Sequence, residues 1–268
     1  MTLIPDLTLP GEEAVVVAGD WHGNINWAQQ VFPFLRRAVP GVRTVLHLGD
    51  FGFWPGQDFA QTVDYWARSV GVERILVTPG NHENWAALDT LFAENPGEMI
   101  QIAERVFVMP RGYRFTLAGQ QFTSLGGAAS LDREDRVPFR EWWPSEIPTE
   151  DDVARVIAGG PTYVLLTHEA VDGGADLVER VLRANLLGWG REALAYSALS
   201  RDRVTRVYRA LNPYVVAHGH LHLQAERTGE DGRQIFSLAA DGAAGNLATL
   251  NLDTLQWEWL GDPRAWKR

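Results

Sequence analysis

Over about its first hundred residues the chain alternates short β-branched and aliphatic runs with longer stretches whose apolar positions recur every three to four residues. Glu13–Ala18, Arg43–Leu48 and Arg74–Thr78 read as strands, and each runs into a glycine-bearing turn. Those turns are Gly19-Asp20, Gly49-Asp50 and Pro79-Gly80-Asn81-His82. Ile25–Ala38, Phe59–Ser69 and a stretch from Glu83 to about Phe92 read as the intervening helices. A β-α-β-α-β-α rhythm of this kind predicts a parallel or mostly parallel sheet with helical crossovers.

The pattern changes at Val106. Val106–Met109, Tyr113–Leu117 and Gln121–Ser124 are short strand-like runs separated by glycine-containing turns, which suggests antiparallel hairpins. Ala128–Glu150, with its charges, prolines and the Trp142-Trp143 pair, fits neither period and reads as a structured loop or cap. A helix at Asp151–Ala158 and a strand at Tyr163–Leu166 restore the rhythm. Ala175–Leu187 and Arg191–Leu211 read as helices, and strands are expected near Tyr214–Ala217, Leu221–Arg227, Gln234–Leu238, Leu247–Asn251 and Gln256–Leu260. With no repeat, linker or low-complexity segment, residues 1–268 are expected to form one α/β domain with a cap-like insertion at about 128–160.

Composition narrows the partners. The net charge of -10 and the lack of a Lys/Arg stripe leave nucleic acid possible but not favoured, because non-specific binding rests on cationic side chains neutralising phosphates. A small phosphorylated substrate is still compatible, since bound cations reverse the field in a pocket. The absence of cysteine removes thiolate ligands and cysteine nucleophiles. No apolar run approaches the roughly 20 residues of a membrane span. Met1–Gly11 lacks the features of a signal peptide, so a cytoplasmic location is expected, away from membranes. Nothing in the composition speaks to oligomeric state.

The chemistry sits where the strands end. Asp20 and His22 follow the first strand, Asp50 the second, and Asn81 and His82 the third; His168 follows Tyr163–Leu166, and His218, His220 and His222 lie at the end of Tyr214–Ala217. Six of the seven histidines flank a strand end, and His47 lies inside one. Taken singly, each has a plain explanation: Asp and Asn form turns and cap helices, and a lone histidine is more often structural. Five strand ends that all deliver oxygen or imidazole donors are hard to obtain from turn preferences. In an open α/β sheet the carboxyl ends of the strands converge on one crevice, so these residues are expected to meet.

Gly19-Asp20-Trp21-His22, Gly49-Asp50, Gly80-Asn81-His82-Glu83, Thr167-His168 and Gly219-His220-Leu221-His222 occur in the order of the five blocks of the calcineurin-like metallophosphoesterases, which this chain resembles from residue 19 to 222. The resemblance implies a four-layer α/β/β/α sandwich with the site at the strand ends. It assigns Asp20, His22 and His222 to a first cation, Asp50 to both, and Asn81, His168 and His220 to a second. It places the catalytic His82 beside the substrate. Oxygen and imidazole donors suit Mn2+, Fe, Zn2+, Ni2+ or Co2+, and Mn2+ is taken as the usual activating ion. One departure stands out: Phe53 occupies the place where many relatives, protein phosphatases among them, carry a second Asp, so the protein-phosphatase reading weakens. The stretch from Gly126-Gly127-Ala128 through Ser130 and Asp132-Arg133 to Trp142-Trp143-Pro144 is similar to a segment of some bacterial and phage metallophosphoesterases and suggests a cap over the metals.

Two ions roughly 3.5–4 Å apart activate a shared water for in-line attack on phosphorus. Two divalent cations less two aspartates and one hydroxide leave a centre of about +1, which attracts an anionic ester. His82 is the candidate general acid, and Asn24, Arg133 and Arg136 are candidate phosphate contacts, with helix capping the plainer role for Asn24. The tryptophans near the blocks tilt the expected substrate towards a phosphodiester or nucleotide. A phosphomonoester, or a non-catalytic scaffold on the same fold, is the alternative.

Overall fold

The computed structural model describes residues 4–266. In chain order the strands are β1 (Ala14–Ala18), β2 (Thr44–His47), β3 (Arg74–Val77), β4 (Ile100–Gln101), β5 (Val106–Val108), β6 (Tyr113–Leu117), β7 (Gln120–Leu125), β8 (Val164–Thr167), β9 (Val215–His218), β10 (Ala225–Thr228), β11 (Gln234–Ser237), β12 (Leu247–Asn251) and β13 (Trp257–Trp259). The helices are α1 (Ile25–Ala38), α2 (Phe59–Val70), α3 (Trp85–Glu94), α4 (Glu150–Ala158), α5 (Asp176–Ala184) and α6 (Arg191–Leu211). Two sheets form, ordered β13-β12-β1-β2-β3-β5-β4 and β10-β11-β9-β8-β7-β6.

Strand alternation explains the layering. Val15, Val17, Leu46 and Leu76 of the first sheet pack between the sheets against Phe115, Phe122, Val164, Leu166, Val215 and Phe236 of the second. Their alternate neighbours Val16, Val45, Ile75 and Val77 face outward and are covered by Trp27, Val31, Phe32 and Leu35 of α1 and Phe59 and Val63 of α2. On the other outer face, Leu165, Val216 and Ile235 meet Val153 and Val156 of α4 and Val204, Val207 and Leu211 of α6. Truncating one buried leucine in such a core costs about 2–5 kcal/mol, whereas a helix cap contributes about 1 kcal/mol. The sheets therefore hold the frame on which the polar loops are mounted. No helix among the described residues is long and apolar enough to cross a membrane.

Several boundaries differ from the sequence expectation. Val106–Val108 does not form a hairpin with the strand after it; β5 joins the first sheet, parallel to β3 and antiparallel to the short β4 before it, while β6 and β7 pair as an antiparallel hairpin in the second sheet. Residues 221–224 are not strand, because positive φ at His220 and His222 turns the chain out of the ladder before β10. Helix α3 begins two residues later than expected, with Asn84 capping it by accepting from Ala87 N at 2.9 Å. Helix α5 stops at Ala184, where Asn185 takes the left-handed conformation. The 128–150 stretch holds two single-turn 3-10 segments, Arg133–Asp135 and Pro144–Glu146.

Candidate metal centre

β1, β2 and β3 run parallel, so Asp20, Asp50 and Asn81 emerge beyond one edge of the first sheet. β7, β8, β9 and β11 run parallel in the second sheet and deliver their following loops to a common edge in the same way. The two edges meet across Asp50, whose Oδ1 lies 3.3 Å from His168 Nε2. The donor atoms of Asp20, His22, Asp50 and His222 all lie within 4.8 Å of one another, a group able to hold a metal ion. Within it, His222 Nε2 is 3.1 Å from Asp20 Oδ2, and His22 Nε2 is 3.6 Å from Asp50 Oδ2. On the other side of Asp50, His168 Nε2 is 3.0 Å from Asn81 Oδ1, and the His220 ring stands 5.1 Å from that of His168.

Four of these residues are held in left-handed backbone: His22 and Asp50 at φ 48°, His220 at 71° and His222 at 57°. Each such residue costs about 1 kcal/mol or more and persists only where its surroundings impose it. Here the Asp50 carbonyl accepts from Trp21 N at 3.0 Å and His22 N at 2.7 Å, and the Asp20 carbonyl accepts from Asp241 N at 2.7 Å. Local strain concentrated in the donor-bearing turns is the mark of a functional site.

The charges suit the cluster to cations. Burial acts to raise the Asp50 carboxyl, but His168 and His82 beside it hold it well below the usual range. Burial acts to lower His168, yet Asp50 and Asp20 push it up to about 10. His22 likewise overcomes burial through its bonds to Asp241 and Asp50 and reaches about 10. His220 is pushed well below its ordinary value by burial and by the neighbouring His168. Its Nε2 is buried with no hydrogen-bond partner, a costly state for a polar atom unless something electropositive meets it. A donor set that draws protons this strongly, with one lone pair left over and no sulfur, fits divalent cations, whose binding releases those protons.

The remaining expected residues divide. His82 lies at the solvent-facing rim, its Nε2 3.9 Å from Asp50 Oδ2, and burial together with Arg136 lowers its pKa against the pull of Asp50. Arg136 Nη2 rests against that ring, 2.8 Å from Nε2. Arg133 instead lies over the Tyr196 ring at 4.2 Å and near Trp142 at 5.8 Å. Asn24 accepts from Trp27 N at 3.1 Å as the cap of α1 and donates to Asp241 Oδ2 at 2.5 Å, so both ends of its amide are in use. His47 and His218 are buried, and burial holds them at about 3 and about 4. Trp21 and Trp85 are core residues, and Trp54 donates to the His82 carbonyl at 3.0 Å.

Four supporting side chains, Asp241, Glu83, Glu146 and Ser130, were given no role by sequence reasoning. Asp241 accepts from His22 Nδ1 at 2.9 Å and thereby turns Nε2 towards Asp50, as the Leu48 carbonyl does for His168 by accepting from Nδ1 at 2.6 Å. Glu83 accepts from the backbone of Phe51 at 2.6 Å, Gly52 at 3.3 Å and Gly80 at 2.7 Å, clamping two of the turns together. Glu146 binds Ser130, which in turn binds Asn81. Asp241 and Ser130 follow β11 and β7, so the rule that drew attention to the other strand ends applies to them as well.

Residues 14–224 match the model of the calcineurin-like phosphoesterase family, and the chain belongs to that family of metal-dependent phosphoesterases. No curated protein matches the chain. Among solved structures, it is similar to a protein of Thermus thermophilus, at 10% identity and TM-score 0.55 over 93% of this chain and 99% of that one. It is also similar to a dimetal phosphatase from Danio rerio, at 12% identity and TM-score 0.52 over 90% and 93%. The phosphopantetheinyl hydrolase of Mycobacterium tuberculosis shows 16% identity and TM-score 0.51 over 89% and 96%. At these identities the likeness is one of fold.

Proposed function

We propose that the chain hydrolyses a phosphodiester or nucleotide with two divalent cations, Mn2+ the activating ion, held in the crevice where the two sheet edges meet. The observation that carries this reading is the placement of Asp50, whose Oδ2 faces His22 Nε2 at 3.6 Å while its Oδ1 faces His168 Nε2 at 3.3 Å. Asp50 would be shared between the two cations, with Asp20, His22 and His222 holding one and Asn81, His168 and His220 the other. When bound, the cations supply Lewis-acid activation of water and neutralise charge on the ester.

The chain's own groups do the rest. Asp20, Asp50, Asn81 and His168 form a buried wall, while His22, His82 and His222 stand at the open rim, so the ester enters past His82. Its negative charge meets the Arg136 guanidinium there and favours the protonated imidazole that donates to the departing oxygen. Residues from about 128 to 160 serve as the cap that carries Arg136. Asn24 acts through Asp241, with its amide already spent.

Two measurements test this reading. Turnover of bis-p-nitrophenyl phosphate is expected to rise on adding Mn2+ and to exceed that of p-nitrophenyl phosphate; stimulation confined to the monoester moves the assignment to a phosphomonoesterase, and none on either leaves a binding scaffold. Asp241→Ala removes the acceptor that orients His22, and is expected to weaken Mn2+ binding about 10-fold or more in a calorimetric titration. An unchanged affinity would show that His22 needs no such partner.

A further inference from the structure

We infer that Ser130 and Glu146 are positioning residues that set which face of the Asn81 carboxamide meets the cation, and so govern filling of the second cation position; this rests on the reading of the site just given. A carboxamide presents an oxygen on one side and an NH2 on the other in nearly the same shape, and only its hydrogen-bond partners choose between them. Asn81 is buried, its Oδ1 lies 3.0 Å from His168 Nε2, and its Nδ2 donates to Ser130 Oγ at 3.1 Å.

The direction of that last bond is imposed from behind. A serine hydroxyl has one hydrogen, and here Ser130 Oγ donates it to Glu146 Oε2 at 2.8 Å. What Ser130 then offers Asn81 is a lone pair, which accepts from NH2 and repels a carbonyl oxygen. Reversing the amide would set oxygen against lone pair at the buried Ser130 and NH2 against the cation position, two conflicts at one side chain. Glu146 cannot drift away, because Ser130 N donates to its Oε1 at 2.7 Å while Oε2 takes the hydroxyl. Both Ser130 donors thus converge on one carboxyl group, and all three side chains are buried.

The backbone of Glu146 is tied into the same loop. Arg111 Nη2 donates to the carbonyls of Ser145 at 2.6 Å and Glu146 at 2.9 Å, and Arg111 Nε donates to that of Gly126 at 2.9 Å. The guanidinium lies over the Trp85 ring at 4.1 Å, and Trp85 Nε1 donates to the carbonyl of Gly80, the residue before Asn81, at 2.9 Å. The circuit therefore closes on itself, and it couples the cap to the turn that bears Asn81.

The experiment counts Mn2+ ions bound per chain by equilibrium dialysis, in the full chain and in Ser130→Ala, Glu146→Gln and Asn81→Asp, the last alone and combined with Ser130→Ala. Ser130→Ala is expected to keep the first ion at its original affinity and to bind the second about 10-fold or more weakly. Glu146→Gln keeps the volume but leaves one oxygen for the two Ser130 donors and turns an NH2 towards the other, and the same selective loss is expected. A carboxylate at position 81 has oxygen on both sides and needs no orientation. Adding Ser130→Ala to Asn81→Asp is therefore expected not to weaken the second affinity further, since it only removes a lone pair that faces oxygen, a non-additivity that a purely structural role of Ser130 would not produce. The inference is overturned if Ser130→Ala and Glu146→Gln bind both ions as tightly as the unaltered chain. It is equally overturned if both variants lose the two ions together, or if Ser130→Ala weakens binding as much in the Asn81→Asp background. An unaltered chain that binds fewer than two ions is a separate result, and sinks the two-cation reading instead.

Discussion

Asp50→Asn is expected to lower Mn2+-stimulated ester hydrolysis by about 10^3-fold while leaving the circular dichroism spectrum and the fold intact. Asp50 is 1% exposed, and its two oxygens face the two halves of the donor cluster. Asparagine keeps the volume and one oxygen, but puts an NH2 where the other oxygen was, and an NH2 does not ligate a cation. Losing a single electrostatic stabiliser at an active site costs about 10^2–10^3 in rate. On the two-cation reading proposed above, Asp50 belongs at the upper end, about 4 kcal/mol of barrier. The backbone need not move, since the left-handed conformation at residue 50 is one that asparagine adopts readily. A steady-state rate within tenfold of the original would show that the two halves do not depend on Asp50, and the two-cation reading would go with it.

Gly80→Ala is expected to destabilise the protein by about 3 kcal/mol and to abolish metal-stimulated turnover together. A Cβ on Gly80 would sit 2.2 Å from Asp50 Oδ1, 2.3 Å from Asp50 N and 2.9 Å from His168 Nε2. None of these is the loose end of a flexible chain, so the added methyl must push apart the β2 and β3 turns that carry Asp50 and Asn81. Overpacking of a fixed interior costs about 1–3 kcal/mol, and the rigid neighbours here place Gly80 at the upper end. For a chain of this size that lowers the thermal midpoint by about 6–12 °C. Gly49, at φ +98° with its would-be Cβ 2.4 Å from His168 Nδ1, shows the same crowding from the opposite side. A Gly80→Ala protein with an unchanged midpoint and full activity would mean that the turns have more room than these distances allow.

Much of the candidate site was legible because its residues obey a local rule. A strand that feeds a crossover helix must turn at its carboxyl end, and parallel neighbours turn on the same side, so Asp20, Asp50 and Asn81 had to approach one another once β1, β2 and β3 paired. The roles that depend on a long-range choice were not legible. Arg133 and Arg136 lie three residues apart in one loop, with no sequence signal to separate them. One stacks on Tyr196, and the other reaches His82. Asp241 and Glu146 looked like any acidic residue near a turn until the fold brought them to His22 and Ser130.

The sheet assignment shows the same division. The glycine turn between Val108 and Tyr113 favoured a hairpin, yet the chain crosses there from one sheet to the other, and β5 pairs with β3 while β6 pairs with β7. Turn chemistry acts over a few residues and is written in them; sheet membership depends on which hydrophobic face a strand can bury, and the buried partner lies elsewhere in the chain. By itself, then, the sequence determined the alternation of strands and helices, the donor residues at their ends and the family. Tertiary structure alone decided which strands share a sheet, which second residue aims each donor, and which of the two arginines reaches His82, because hydrogen bonds and burial between distant segments exist only after the chain has closed on itself.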